Sequence, residues 1–436
     1  MINKTGILYI KKRTLPEWLA YYIFLMPFFL SFLLDFLGLP GFVKYTIDIA
    51  WVLSVLLVLL RKKVTFNRNL IPFVVLPCAF CVYTIIAYLF NFQSVLYFLW
   101  GFRNNFRFYF AFIIFCLFFT KDDIKNCLKF LDVLFWINAV VTLFQFFALG
   151  YEQDYLGGIF GVDRGCNAYT IVFFSIIISK SILLFMSRKE GFVLCFSKIA
   201  VSLVISAMAE LKFYFIVFVV ILLMASLLTS FAWRKFLLLF FAAFFIMFAS
   251  AILTATFGDG SAITISKLFE IATSENYSSN NDLGRLTAIP TLSRTILSAL
   301  SDRLFGLGLG NCDYSTFDVF NTPFYQVYGD LHYVWFSAVF LFLETGFLGL
   351  AFYIAFFVLC YIFAFNKKKN NSNPLYCQMS MIMAVLCVFI IFYNASLRTE
   401  VGYMVYFIFA LPFIFTKDDT PVIADDGRLV PEPENT

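Results

Sequence analysis

Apolar residues in this chain run in long, nearly uninterrupted stretches. They lack the alternation that would mark a half-buried strand or an amphipathic surface helix. An α-helix needs about 20 such residues to cross a bilayer core. On that length the sequence predicts twelve spans: 17–37, 42–60, 70–91, 106–120, 127–148, 169–187, 191–209, 213–232, 236–256, 346–366, 378–394 and 401–416. The last two are short, and 92–105 mixes polar with apolar positions, as a segment lying along the membrane surface would. One polar stretch, 257–333, breaks the pattern. It holds the chain's only histidine, His332, with Arg285, Arg294, Arg303 and a glycine-punctuated turn over 306–311. From Pro290 to Leu304, apolar residues at 292, 296, 297, 300 and 304 predict one amphipathic helix, with proline in its first turn and Gly306 ending it. Such a helix would lie on the membrane or cap the bundle.

Composition agrees with the pattern. Hydrophobic residues make up 62% of the chain and charged ones 14%, against roughly 45–50% and 25% in soluble domains. Too few polar groups exist to cover a water-facing surface, so the solvent is a lipid bilayer. Basic residues cluster at alternate connections: Lys4, Lys11, Lys12 and Arg13; Arg61, Lys62, Lys63 and Arg68; Lys121 and Lys125; Arg188 and Lys189; Arg234 and Lys235; Lys367, Lys368 and Lys369. These belong in the cytoplasm, which puts both termini there and 257–333 outside. The fold expected is an all-α polytopic integral membrane protein with about twelve transmembrane helices. It divides into N-terminal helices over 1–256, a large outer-face loop over 257–333, C-terminal helices over 334–416 and a disordered cytoplasmic tail over 417–436. No signal-peptide cleavage pattern follows Arg13, so the first span is read as retained. The net charge of +5 comes from these clusters and does not indicate nucleic acid. Of ten cysteines, eight lie in or beside apolar segments as small hydrophobes. Cys166 and Cys312 fall in polar segments on one side, and two free thiols are favoured over a disulfide.

Isolated charges on the outer side are the candidate chemistry. Arg164 sits in a glycine-rich connection, Glu210 and Lys212 interrupt an apolar run, and Arg103 and Arg107 share a helical face. Ionisable groups at membrane depth are costly and by default point to function. Several cations on one face suit phosphate or pyrophosphate, which guanidinium grips with a two-pronged fork. The competing reading is a snorkelling interface residue, favoured for Lys44 and Arg398. His332, at the junction of polar and apolar sequence, suits proton transfer near neutrality. Its plainer alternative is an amphipathic anchor. The sequence has no Walker loop, zinc-protease motif or nucleophile elbow.

Gly284–Arg285, Arg303 through Gly306, Gly308, Gly310 and Asn311, then His332–Tyr333 and Glu344–Thr345–Gly346 with Gly349, stand in this order in the outer loop and after it. This block resembles the O-antigen polymerase and ligase superfamily of bacterial polysaccharide assembly. The resemblance covers roughly residues 150–360. It implies a GT-C-like membrane glycosyltransferase whose donor is an undecaprenyl-pyrophosphate-linked oligosaccharide, with no cofactor. Flippase and chain-length regulator proteins are implied as partners. Pyrophosphate would be held by Arg285, Lys212, Arg164 and Arg303, with His332 or Glu210 as the general base. Two positions depart from the family pattern: Tyr333 stands for asparagine and Lys212 for arginine. Both favour a polymerase of repeat units over a ligase that moves finished glycan. A lipid-linked oligosaccharide transporter is the reading from another class. It would spread charge through a central cavity and often shows repeated halves.

Overall fold

The computed structural model describes residues 13–60, 68–230, 233–258, 274, 282–315, 317–369 and 374–416, with tail residues 422–423 and 429–430. The apolar stretches are helices: α1 (Leu15–Ser31), α2 (Thr46–Leu60), α3 (Ile71–Asn91), α4 (Val95–Phe118), α5 (Lys121–Leu149), α6 (Asn167–Met186), α7 (Phe192–Met208), α8 (Lys212–Leu228) and α9 (Arg234–Phe257). Among the described residues of the polar stretch three short helices follow: α10 (Ala288–Thr295), α11 (Leu300–Phe305) and α12 (Pro323–Tyr328). The chain then re-enters the bundle as α13 (Ser337–Lys369), α14 (Leu375–Tyr393) and α15 (Gly402–Phe415). Among the described residues, eight helices are long and apolar enough to cross a membrane, and α7, α8 and α15 are shorter apolar helices. This is a membrane protein with transmembrane helices. The region 92–105 does not lie apart as a surface segment. From Val95 it continues into the predicted span at 106 as one unbroken helix, α4, in which Arg103 and Arg107 pair with the half-buried Asp48 and Glu400.

Two contact systems mark the two ends of the bundle. At one end, the start of α1 meets the start of α5 through Tyr21, whose hydroxyl donates to Asp123 at 2.7 Å, and through Arg13, 3.1 Å from the same carboxylate. Lys368 donates to the Leu228 carbonyl there at 2.6 Å. Near this end α5, α6 and α7 enclose an ion cluster. Lys180 pairs with Asp132, Lys198 lies 3.2 Å from Asp132 and 3.4 Å from Glu190, and Ser181 donates to Glu190. Lys180 sits six residues, about 9 Å, from the end of its helix. At the other end lie the starts of α2, α4, α6, α8, α13 and α15 and the polar stretch 282–336.

α13 is broken. Gly346 has φ +63 inside it, and the two halves meet at a kink. The carbonyls freed there are taken by other segments. Leu307 N–H donates to Leu343 O at 2.8 Å, Gly308 N–H to Glu344 O at 2.9 Å, and the Tyr83 hydroxyl to Thr345 O at 2.6 Å. The glycine-punctuated turn is therefore a cap for a kinked membrane helix. Gly306 lies against the Glu344–Thr345 peptide and Gly346 against the Leu304 carbonyl, where a Cβ would come within 2.3–2.6 Å of backbone.

The single amphipathic helix expected over 291–304 is not formed. Leu292 and Leu297 both bury completely, in a small core with Leu283, Tyr333, Phe336 and Phe340. To bring Leu297 in, the chain leaves the helix at Ile296, and α10 and α11 become separate pieces. Arg303 bridges them, its Nε donating to Ser293 O at 2.9 Å and Leu297 O at 3.0 Å. The disordered reading of the tail concerns residues almost wholly outside the description. Those described pair briefly, Val422 with Val430 and Ile423 with Leu429. The basic residues 4, 11, 12 and 61–63 also lie outside the described residues.

The interlocked glycines make a stability test. Gly346→Ala adds a left-handed alanine, about 1–2 kcal/mol, and a backbone clash, about 1–3 kcal/mol. We expect a loss of roughly 2–5 kcal/mol in detergent unfolding. Gly41→Ala, whose Cβ would meet nothing within 4 Å, should stay within about 0.5 kcal/mol.

Candidate functional site

The turn between α7 and α8 presents two of the sequence candidates. Glu210 takes a left-handed backbone, φ +51, to close α7. Leu211, at φ −77 and ψ 66, forms an inverse γ-turn in which Lys212 N–H donates to Glu210 O at 2.8 Å. The side chains then pair, Lys212 Nζ lying 3.0 Å from Glu210 Oε1. The candidate base and the candidate cation are thus each other's partners.

Next along the chain, Phe213 stacks flat on Tyr393 at the end of α14, with centroids 3.7 Å apart. The guanidinium of Arg285 lies over the same tyrosine ring at 4.0 Å. Such a cation–π contact fixes the arginine's plane while leaving its edge donors directed elsewhere. Asn394 follows Tyr393, and its carbonyl accepts from Ser337 N–H at 3.1 Å and Ser337 Oγ at 2.9 Å. Two residues before Ser337 stands Trp335, which carries two groups. The His332 ring stacks on it at 4.0 Å, and the Arg164 guanidinium lies 5.6 Å from its centroid. Among the described residues that indole ring is Arg164's only partner. The connection bearing Arg164 is held by Gln145, which exchanges two hydrogen bonds with Gly158 at 2.7 and 2.9 Å. Asn167 closes the circuit, donating to Ala209 O at 3.2 Å beside Glu210.

Arg164, Glu210, Lys212, Arg285 and His332, from four separate parts of the sequence, therefore share one ring of contacts. The N-terminal ends of α6, α8 and α13 border it, each adding partial positive charge. Arg303 is not in this ring; it holds α10 to α11.

His332 itself has a left-handed backbone, φ +54. For a residue other than glycine this costs on the order of 1–3 kcal/mol and is typical of strained functional positions. Its Nδ1 lies 2.5 Å from Asp282 Oδ1. The histidine side chain is 36% exposed and the aspartate 5%, so one ring nitrogen faces a buried carboxylate and, among the described residues, the other edge is open.

Sequence reasoning missed Asp282, Trp335, Tyr393 and Phe213. Trp335 carried a signal, standing three residues after the histidine, where one tight helical turn stacks side chains. Asp282, fifty residues upstream, carried none.

The other expected cations are absorbed by structure. Arg103 Nη2 lies 2.5 Å from Asp48, and Arg107 lies 3.2 Å from Glu400 and donates to Arg398 O at 2.8 Å. Arg398 is not a snorkelling residue. It is 11% exposed, packs over Phe340 and faces Asp313 at 3.9 Å, because the 394–400 connection dips into the bundle end. Burial pushes the Asp313 carboxyl up, although Arg398 opposes it. Burial would do the same to Glu400, but Arg107 and Arg103 outweigh it and hold that carboxyl below its usual range. Tyr333 points inward, fully buried, donating to Cys312 O at 2.6 Å. It anchors the loop beneath the histidine.

Cys166 and Cys312 are both buried free thiols. Burial, with Asp163 and Asp154 nearby, pushes Cys166 up to about 12, and burial raises Cys312 as well. At pH 7.5 neither is a thiolate. Maleimide should leave both unmodified in the folded protein and label them after denaturation, as read by mass spectrometry of the peptides. Rapid labelling of folded Cys166 would contradict the buried placement.

Among the described residues no group of three His, Cys, Asp or Glu side chains is placed to hold a metal ion. What the ring links is cationic side chains, helix N-termini and a histidine–carboxylate pair. That set suits a polyanionic leaving group beside a hydroxyl that must lose a proton. No protein-family model matches this sequence, and no curated protein matches it.

Proposed function

We propose that this chain is a membrane glycosyltransferase that polymerises oligosaccharide repeat units carried on undecaprenyl pyrophosphate. The observation that carries the reading is the contact ring, which gathers Arg164, Lys212, Arg285 and His332 at one end of the bundle. In this reading α4, α7, α8 and α15 also cross the membrane, giving twelve spans of GT-C-like character. Both termini are cytoplasmic and the ring lies on the outer face of the cytoplasmic membrane. Contacts support that alternation: the starts of α1 and α5 meet at one end, and those of α2 and α4 at the other.

The donor's anomeric carbon is attacked by a hydroxyl of a second lipid-linked repeat. His332 takes the hydroxyl proton at its open nitrogen while the bond from carbon to pyrophosphate oxygen breaks. Charge develops on the pyrophosphate as it departs, and stabilising that charge is the main electrostatic task. Arg285, fixed on Tyr393, offers the two-pronged fork, with Lys212 and Arg164 beside it. Glu210 holds Lys212 at 3.0 Å, which favours His332 over Glu210 as the base. The chemistry draws on no cofactor. The partners are the lipid-linked glycan and the bilayer, together with flippase and chain-length regulator proteins.

Two experiments test this. Arg285→Ala should weaken transition-state binding by roughly 2–5 kcal/mol, and Arg285→Lys should also be impaired because the fork is lost. Sized surface glycan should then show single repeats kept and long chains gone. Full-length polymer at wild-type level in Arg285→Ala would overturn the assignment. For topology, Ser298→Cys and Lys369→Cys are placed singly in a cysteine-free background. Impermeant maleimide on intact cells should label 298 and not 369. Outside labelling at 369 would refute the twelve-span arrangement.

A further inference from the structure

His332 is the one histidine in the chain, and the segment carrying it is fastened to the segment carrying Asp282. Leu283 N–H donates to Leu331 O at 3.3 Å, so the two strips of backbone run side by side one residue from the acid and the imidazole. Leu283 is buried in the small core beneath. Trp335 covers one ring face at 4.0 Å, which limits rotation of the imidazole away from the carboxylate. Nδ1 and Oδ1 are 2.5 Å apart, with the aspartate 5% exposed. Among the described residues, the charged groups around the ring are Asp282 from the 282–284 strip and Arg164 across Trp335, with Asp330 and Arg285 further along the two segments.

We propose that Asp282 is a positioning residue that holds His332 as the tautomer with its proton on Nδ1 and its acceptor lone pair on the open Nε2. A carboxylate only accepts hydrogen bonds, so its close approach to Nδ1 puts a proton there, whichever charge state the ring is in. The neutral ring is then left with one free acceptor, Nε2. A histidine ring nitrogen takes up a proton only if it is bare, and its partner on the other nitrogen decides which one that is. When Nε2 takes the acceptor hydroxyl's proton, the sugar oxygen bonds to the anomeric carbon and pyrophosphate leaves with the electron pair. Asp282 keeps its charge and gains no proton; it stabilises the imidazolium that forms. The chemical part of this inference rests on the polymerase reading. The tautomer does not.

A single histidine makes the test direct. In ¹⁵N-histidine-labelled protein the ring nitrogens give one pair of signals, whose shifts report the tautomer without any assignment problem. Above the ring's titration we expect Nδ1 protonated and Nε2 bare. In Asp282→Asn an amide can donate to Nδ1, so the signals should move toward the Nε2-protonated form. With purified lipid-linked repeats, kcat should fall about 10²–10⁴-fold, the range attributed to a lost general base, with the donor KM little changed. Asp282→Glu should restore part of the rate. A wild-type ring protonated on Nε2 would overturn the proposal without any variant. So would an Asp282→Asn enzyme with unchanged rate and tautomer while His332→Ala is inactive. If His332→Ala and Arg285→Ala both polymerise normally, the polymerase reading falls and the tautomer result stands alone.

Discussion

A helix that breaks inside a membrane must find new donors for the carbonyls it frees, because hydrocarbon supplies none. α13 breaks at Gly346, and its loosened carbonyls are met by Leu307, Gly308 and Tyr83. Much of the loop end follows from that requirement. The donors can arrive only if the chain at 306 lies flat against the chain at 346, which excludes a side chain at either position. The same turn then brings Gly310 against Tyr97 and Gly101 and places Cys312 over α13. The Cys312 carbonyl receives the hydroxyl of Tyr333. The residue before that tyrosine is His332. The position of the one histidine is thus tied, through a few backbone contacts, to the satisfaction of a kinked helix.

Most of the bundle was legible in the sequence because lipid imposes a simple rule. An apolar run of sufficient length becomes a helix, and its ends fall where charge and glycine gather. The rule failed where burial by protein replaced burial by lipid. Arg103, with Asn104 and Asn105, made 92–105 look too polar to be part of a span. Asp48, distant in sequence, completes the arginine's charge. The stripe from Leu292 to Leu304 read as one helix because spacing alone cannot show that Leu297 must turn into a second core. In the candidate site, charged residues out of place in an apolar sequence announced themselves, and Arg164, Lys212, Arg285 and His332 do share one ring. Their supports did not. Tyr393, Phe213 and Trp335 are aromatic residues in a chain full of them, and nothing local separates a platform for a cation from one more lipid-facing ring. Arg303 shows the opposite error, since a conspicuous cation can serve only to tie two short helices.

The charges at the loop end sort into two kinds. Arg103, Arg107 and Arg398 each face a carboxylate of the protein, and that network is balanced within itself. Among the described residues Arg164 lies on an aromatic ring instead. A ring orients a cation without cancelling its charge as a carboxylate does. The paired network fastens helix ends together, and the ring-supported arginine keeps a positive field for whatever anion approaches.

The ion cluster between α5, α6 and α7 bears on how the chain is made. An isolated lysine or aspartate raises a nascent helix's cost of entering the bilayer, by roughly 2.5–3.5 kcal/mol at its centre and by less toward an end, where Lys180 and Lys198 lie. Lys180 finds its counter-charge, Asp132, only when α6 lies beside α5, whereas Lys198 has both Asp132 and Glu190, the latter in the connection that enters its own helix. Released alone into lipid, α5 and α6 would each carry an unmatched charge. With Glu190 the four groups together carry none. The cluster therefore couples the biogenesis of these spans: α6 is not a comfortable membrane segment until α5 stands beside it.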